Sequence, residues 1–296
     1  METVFVTGGS SMLGQHVLHE LVPRVHVLAV VHRRNLEILN AEVEPLHGGL
    51  EECFRHPTAL QRAHVVLHMA AVTHADAPSE YLRVNVELTK RLLSVCSPRQ
   101  HFIYVSTICA HPDGGAYGRS KWLAEEAIRG SGLDYTIIRP AEIYGSKGRE
   151  GIDALIALAC KTRILPDFRY GGSVKYAPIS VDEAAQFIAE ATVQRRRAGQ
   201  IYTLCAQRPC TASEMAQALR SSMGPLFVVP VPVMLLHAAT ALRFLVPFKR
   251  DQVDRLVLPK VYSGTVAYRD YKFQARPFLD YLAERGKIIA DADLGK

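Results

Sequence analysis

The chain begins with an apolar strand pattern, Val4-Phe5-Val6, that runs straight into Thr7-Gly8-Gly9-Ser10-Ser11-Met12-Leu13-Gly14 and then into a helical period reaching Leu21. A glycine turn between a strand and a helix offers backbone N–H groups at the positive end of the helix dipole, where an anion such as a pyrophosphate is favoured. Alone, such a turn is equally well a simple tight turn; its weight comes from the pattern of the downstream chain. Strand-length apolar runs at 25–31, 43–46, 64–68, 101–106 and 134–139 alternate with helical-period segments, the clearest at 81–95 and 117–129. The second of these carries Trp122, Leu123, Ala127 and Ile128 on its apolar side, and Gly130 and Gly132 end it. This alternation predicts βαβ units, and so an α/β fold with a doubly wound parallel sheet.

Beyond Tyr144 the alternation loosens. Gly, Lys and Arg cluster at 145–151, helical patterns occupy 151–161 and 182–194, and a strand pattern lies at 201–204. Residues 1–145 are therefore expected to form mainly the domain carrying the glycine turn. Residues 146–296 should form mainly a smaller C-terminal substrate lobe, with about 176–205 returning to the first domain. The 296 residues, 48% hydrophobic and 22% charged, suffice for a full core and exclude a disordered or collagen-like chain. A net charge of +6 favours an anionic ligand but is too scattered to indicate nucleic acid. The longest basic run, Arg195-Arg196-Arg197, reads as a solvated helix end. Six cysteines without a C-x-x-C pair or matching His spacing predict neither a zinc site nor disulfides, and point to reduced thiols in the cytoplasm. The apolar stretch 225–248 is interrupted by Pro230, Pro232, Arg243 and Pro247, so no membrane span is expected.

The second strand ends in His32-Arg33-Arg34, with no acid before Glu37. In a dinucleotide site an acid here accepts from a ribose 2′-OH, whereas guanidinium groups, which only donate, attract a 2′-phosphate. NADP(H) is thus favoured, with NAD(H) the alternative. Tyr117-Gly118-Arg119-Ser120-Lys121 opens a helix and places Tyr117 and Lys121 four residues apart on one face. A phenol has a pKa of about 10, too high for acid–base work at neutral pH, and a neighbouring ammonium lowers it. Thr107, just past the strand that ends at Ser106, is placed to donate a hydrogen bond to an oxygen held by the tyrosine.

In this order the motifs resemble an extended short-chain dehydrogenase/reductase of the NAD(P)-dependent epimerase/dehydratase group. The resemblance runs from the glycine turn through His68-Met69-Ala70-Ala71, Asn85-Val86 with Thr89, Tyr104-Val105-Ser106-Thr107, Tyr117 to Lys121, Arg139-Pro140 and Tyr144-Gly145, to Ile179 and Ala185, covering roughly residues 3 to 205. It implies a Rossmann-type fold in which Thr107, Tyr117 and Lys121 are catalytic. The cofactor-binding residues it implies are Gly8, Ser10, Ser11, Met12, Leu13, Gly14, His32, Arg33, Arg34, Leu50, Ala70, Ala71, Asn85, Pro140 and Ile143, together with Tyr117 and Lys121. Arg139-Pro140 and the turn after it would pass the nicotinamide and enter the substrate lobe. Val72, His74, Cys109, Tyr144 and Lys175 are the candidate substrate residues, and no metal is expected. Three positions depart from the pattern: Ser11 for the middle glycine, Gly49 where an acid is common, and Glu183 in Val181-Asp182-Glu183.

The resemblance implies hydride exchange between a nicotinamide and a carbonyl or secondary alcohol carbon, with Tyr117 moving the proton. An epimerase acting on a nucleotide-sugar with retained NAD is the alternative, and a non-catalytic dinucleotide-binding sensor or assembly subunit is the rival from another class. Dehydration is disfavoured because Ile108 and Cys109 stand where an extra acid and base would be needed. An apolar C-terminal segment lining the pocket would mean a lipid-like, terpenoid or aromatic carbonyl substrate; packed as core, it would say nothing. His68 reads as a packed histidine, and His74 and Asp76 read equally as loop polarity. Lys147, Arg149, Arg163, Arg169 and Lys175 read as a solvated basic face. The helices near 79–97 and 117–131 are candidates for a homodimer face.

Overall fold

The computed structural model describes residues 1–32, 35–38, 41–54, 57–145, 151–240 and 250–285. Arg33, Arg34, Lys147, Arg149, Arg243 and Pro247 therefore lie outside the described residues. The chain forms β1 (Thr3–Thr7), α1 (Met12–Leu21), β2 (His26–Val31), β3 (Val43–His47), a 3-10 turn (Leu50–Phe54), α2 (Pro57–Arg62) and β4 (Val65–His68). Next, α3 (Pro78–Tyr81) passes through a π-helical turn (Leu82–Glu87) into α4 (Leu88–Val95), followed by β5 (His101–Val105), α5 (Gly115–Arg129), β6 (Asp134–Pro140) and β7 (Ile143–Tyr144). The remainder is α6 (Gly151–Thr162), β8 (Ile164–Arg169), β9 (Ile179–Ser180), α7 (Val181–Gln194), β10 (Gln200–Leu204), α8 (Ala212–Met223), β11 (Phe227–Pro232), α9 (Val233–Thr240), α10 (Arg250–Val257) and α11 (Thr265–Tyr271).

Among the described residues, seven parallel strands form one sheet in the order β10-β6-β5-β4-β1-β2-β3. Strand alternation splits β1 between the two faces of this sheet. Val4 and Val6 pack with Val17, Leu18 and Leu21 of α1 and with α7, whereas Phe5 packs with Leu60, Leu92, Ala124 and Ile128 on the opposite face. Burial on both sides is why these strands read as continuous apolar runs. Each such side chain contributes roughly 1.5–3 kcal/mol. The order reverses between β1 and β4, so their carboxyl ends border the crevice where ligands bind in open α/β sheets.

Two later segments join this layer: α7 packs on α1, and β10 extends the sheet beyond β6. A capping box between Ser180 and Glu183 starts α7, which assigns Glu183 a structural task at the position where it departs from the family pattern. The arginine triplet at the end of α7 is not merely solvated. Arg195 pairs with Glu2 at 2.8 Å, Arg196 donates to the Asp270 carbonyl at 2.8 Å, and Arg197 lies 3.5 Å from the Asp270 carboxylate. A second core, around Ile156, Leu165, Met215, Leu219 and Phe278, organises the C-terminal residues beside the parallel ribbon of β8 and β11.

The buried face of α5 differs from the expected one. Its wholly buried side chains include Lys121 and Glu125, while Trp122 and Leu123 are half-buried. Lys121 and Glu125 each have hydrogen-bond partners: Arg139 and Ser106 both donate to Glu125, Ser106 at 2.6 Å, and Lys121 donates to the Val105 carbonyl at 2.8 Å. Arg139 is thereby locked onto α5 instead of facing the crevice.

Candidate active site

The turn after β1 is built for close approach. A Cβ on Gly8 would lie 2.5 Å from the Ala70 nitrogen, and one on Gly14 would lie 2.3 Å from the Gly8 oxygen, so glycine is required at both positions. Position 11 makes no such demand. Ser11 has an ordinary extended backbone at φ −72° and its hydroxyl oxygen caps α1 by accepting the Gly14 N–H at 3.0 Å. The departure from glycine therefore preserves the turn. Ser10, Met12 and Leu13 complete the mouth at the N-terminus of α1, where first-turn N–H groups lack intrahelical partners. This cradle fits a dinucleotide pyrophosphate. His32 adjoins Gly49, where Glu51 fills the space an added Cβ would need, and Leu50 is buried in the sheet core.

The end of β4 is tied to α5 by a chain of hydrogen bonds. His68 bridges Thr7 at 2.6 Å and Thr89 at 2.8 Å; Thr89 donates to the Asn85 carbonyl. Burial lowers the His68 pKa to about 3, with the Lys121 charge acting the same way. His68 is thus a packed, neutral residue. Asn85, inside the π-helical turn, accepts the Val72 N–H at 2.8 Å and donates to the Ser120 hydroxyl at 2.9 Å, and Ser120 donates to the Tyr117 carbonyl at 2.7 Å. Ala70 and Ala71 stand between this brace and the glycine turn.

Tyr117 is only 9% exposed, packed with Ala75 and Tyr81. Burial pushes its pKa up to about 12, against the opposing effects of Arg255 and of a hydrogen bond with the Thr107 side chain. The expected partner is displaced: Lys121 sits 4.0 Å above the Tyr104 ring, and burial lowers its pKa to about 7. The cation that faces Tyr117 is Arg255 of α10, with its guanidinium 5.0 Å from the ring centre. Asp251, one helical turn earlier, pairs with Arg255 at 3.1 Å and accepts the Tyr117 N–H at 2.9 Å. A helix from the C-terminal region thus seats the mouth of α5.

Cys109 lies buried beside Tyr117 and Thr107, its thiol pushed up by burial and held near Lys260, Glu142 and Arg255. Lys260 is 7% exposed and reaches Glu142 at 2.6 Å, while the Tyr262 hydroxyl donates to Glu142 and to the Lys175 carbonyl. A cavity of about 350 Å³ opens here, walled by Val174, Pro209, Leu256, Val257 and Leu258 with Tyr170, Lys175, Lys260 and Tyr262. Among the sequence candidates, Cys109 and Lys175 lie around this region. His74 is on the rim, 3.4 Å from Gln252 of α10. Tyr144 does not face the cavity: it is buried between Phe278 and Tyr281, because the end of β7 turns into the second core. Pro140 is buried, and its carbonyl accepts the Ile108 N–H, which fixes Ile143 a turn beyond.

Sequence reasoning missed Glu142, Asp251, Arg255, Lys260 and Tyr262. Glu142 left a signal, a lone acid between apolar neighbours just after Arg139-Pro140. Asp251 and Arg255 read as an ordinary i,i+4 surface pair.

The fold is that of an extended short-chain dehydrogenase/reductase, a class of NAD(P)-dependent enzymes. The profile of the RmlD substrate binding domain family matches residues 1–261, and the chain belongs to that family. A ceramide reductase from Caulobacter vibrioides is 30% identical over 195 residues, which are 62% of this chain and 58% of that protein. A 4-hydroxy-2-methyl-3-oxo-4-farnesyl-3,4-dihydroquinoline-1-oxide ketoreductase from Stigmatella aurantiaca is 27% identical over 86% of this chain and 85% of its own length. Among solved structures, a dTDP-glucose 4,6-dehydratase from Streptomyces venezuelae with NAD bound superposes with a TM-score of 0.73 at 20% identity, covering 99% of this chain and 98% of that one. No described helix is long and apolar enough to cross a membrane.

Proposed function

We propose that the chain is an NADP(H)-dependent reductase or dehydrogenase acting on an apolar small-molecule carbonyl or secondary alcohol. The observation that carries this reading is the buried Tyr117 held between the Thr107 side chain and the Arg255 guanidinium. When bound, the dinucleotide supplies or accepts hydride; Gly8, Ser10, Gly14 and Ala70 shape its seat. Thr107 orients the substrate oxygen and Tyr117 moves the proton to or from it. The names of the two relatives, both reductases of compounds with long apolar parts, support the same substrate class. The NADP(H) preference rests on Arg33 and Arg34 in sequence.

Titration with NADPH and NADH, followed by nicotinamide fluorescence after a check for carried-over cofactor, tests the cofactor reading. Tighter NADPH binding is expected, and carried-over NAD would favour the epimerase instead. Tyr117→Phe should abolish carbonyl reduction and leave NADPH affinity within about threefold, since the ring stays and only the proton is lost. Retained turnover in that variant would sink the acid–base assignment.

A further inference from the structure

The ribbon of β8 and β11 and the helix after it present an apolar outer face. Phe227 is 67% exposed, Met234 75% and Leu235 64%, and Val229 and Ile164 are exposed alongside, with Ile164 opposite Phe227 in the ladder. Exposed large side chains gathered on adjoining elements mark an interaction surface, unlike ones scattered singly. Along the sequence, the segment that carries most of them has charge of one sign. From 215 to 250 the sequence contains no Asp or Glu, against Arg220, Arg243, Lys249 and Arg250.

At the Phe227 end, Arg163 and Arg220 donate to the backbone carbonyls of Met223 and Leu226, which leave the full positive charge of both guanidiniums in place. Two acids on neighbouring elements approach this region and each has a partner. Asp167 is buried and pairs with Arg169 at 2.8 Å, and Asp254 of α10 lies 3.6 Å from His237.

We propose that this outer face of β11 and α9 docks on an anionic lipid bilayer surface, lying on the membrane without spanning it. Apolar side chains enter the acyl boundary while Arg163 and Arg220 meet anionic headgroups. A second copy of the chain is a poorer occupant for the strand edge. The Phe227 N–H is used within the ribbon, so by strand alternation residues 228, 230 and 232 face outward, and Pro230 and Pro232 have no N–H to offer another strand. The inner side of the same layer supplies a route inward: Val231 and Leu236 pack in one cluster with Val174, Leu256 and Val257, which wall the cavity. An amphipathic molecule held in the bilayer would then be one side-chain layer from the cavity. The docking itself does not depend on the reductase reading, because it is measured without turnover.

The test is co-sedimentation of the full chain with vesicles of phosphatidylcholine alone and of phosphatidylcholine containing one part in three phosphatidylglycerol, at low and high salt. Binding to the anionic vesicles that weakens with salt is expected. It should fall about tenfold or more when Met234→Asp and Leu235→Asp are combined, and also in Arg220→Glu. Circular dichroism melts confirm that these surface variants stay folded. Absence of vesicle binding, equal binding to neutral vesicles, or binding indifferent to all three substitutions overturns the proposal. So does a concentration-dependent dimer in analytical ultracentrifugation that the paired substitutions dissociate while vesicles bind neither form; that result would assign the face to a second copy.

Discussion

At the scale of single residues, Tyr117 owes its environment to a residue far away in sequence. Arg255 faces the Tyr117 ring and opposes the rise in its pKa, while Lys121, four residues from Tyr117, is engaged by Val105 and Tyr104. Removing the cation by Arg255→Leu should raise the Tyr117 pKa further. In the alcohol-oxidising direction the phenolate is the base, so the rising limb of the pH–rate profile should move to higher pH by about one unit, and Arg255→Lys should restore part of it. A profile that stays in place, with only the amplitude reduced, would make Arg255 a packing residue. The meeting of Thr107 with Tyr117 was legible in sequence because one follows a strand exit and the other opens the next helix, whereas helix spacing alone did not tell which partner Lys121 would take. Arg255 was not, because an i,i+4 acid–base pair looks the same on a solvated helix as on one pressed against an active site.

At the scale of elements, the strand–turn–helix at the N-terminus was readable because its constraint is steric and local. The Gly14 Cα faces the Gly8 and Gly9 carbonyls so closely that even a methyl group meets backbone atoms. Gly14→Ala should cost about 1–3 kcal/mol of stability and weaken NADPH binding at least about tenfold, both measurable by thermal melts and fluorescence titration. Unchanged affinity would mean that this turn does not seat the pyrophosphate. Helix α5 was harder to read. Its buried stripe includes Lys121 and Glu125, and periodicity that counts only apolar residues turns such a helix toward Trp122 and Leu123 instead. The pairing of Glu125 with Arg139 and Ser106 is what makes the polar stripe the inner one.

At the scale of the whole molecule, buried histidines link stability to pH. His68 stays neutral in the fold with its pKa lowered to about 3, and His101 behaves alike at about 4, against about 6.5 in an open chain. Between these values the unfolded chain binds protons that the folded one does not, so stability falls as pH drops from about 6.5 toward 3, by up to a few kcal/mol. Melting temperatures across this range should decline, and His68→Asn should flatten the decline although it lowers stability at neutral pH. An unchanged slope would show that His68 titrates normally in the fold. The sequence by itself determined the parallel sheet and the glycine cradle, because strand burial and close backbone approach are written over a few neighbouring residues. Only the tertiary structure decided that Asp251 and Arg255 clamp Tyr117, that Glu142 neutralises Lys260 at the cavity, and that Tyr144 belongs to the core. Those contacts join residues up to 138 positions apart, and their energies depend on burial that no local pattern encodes.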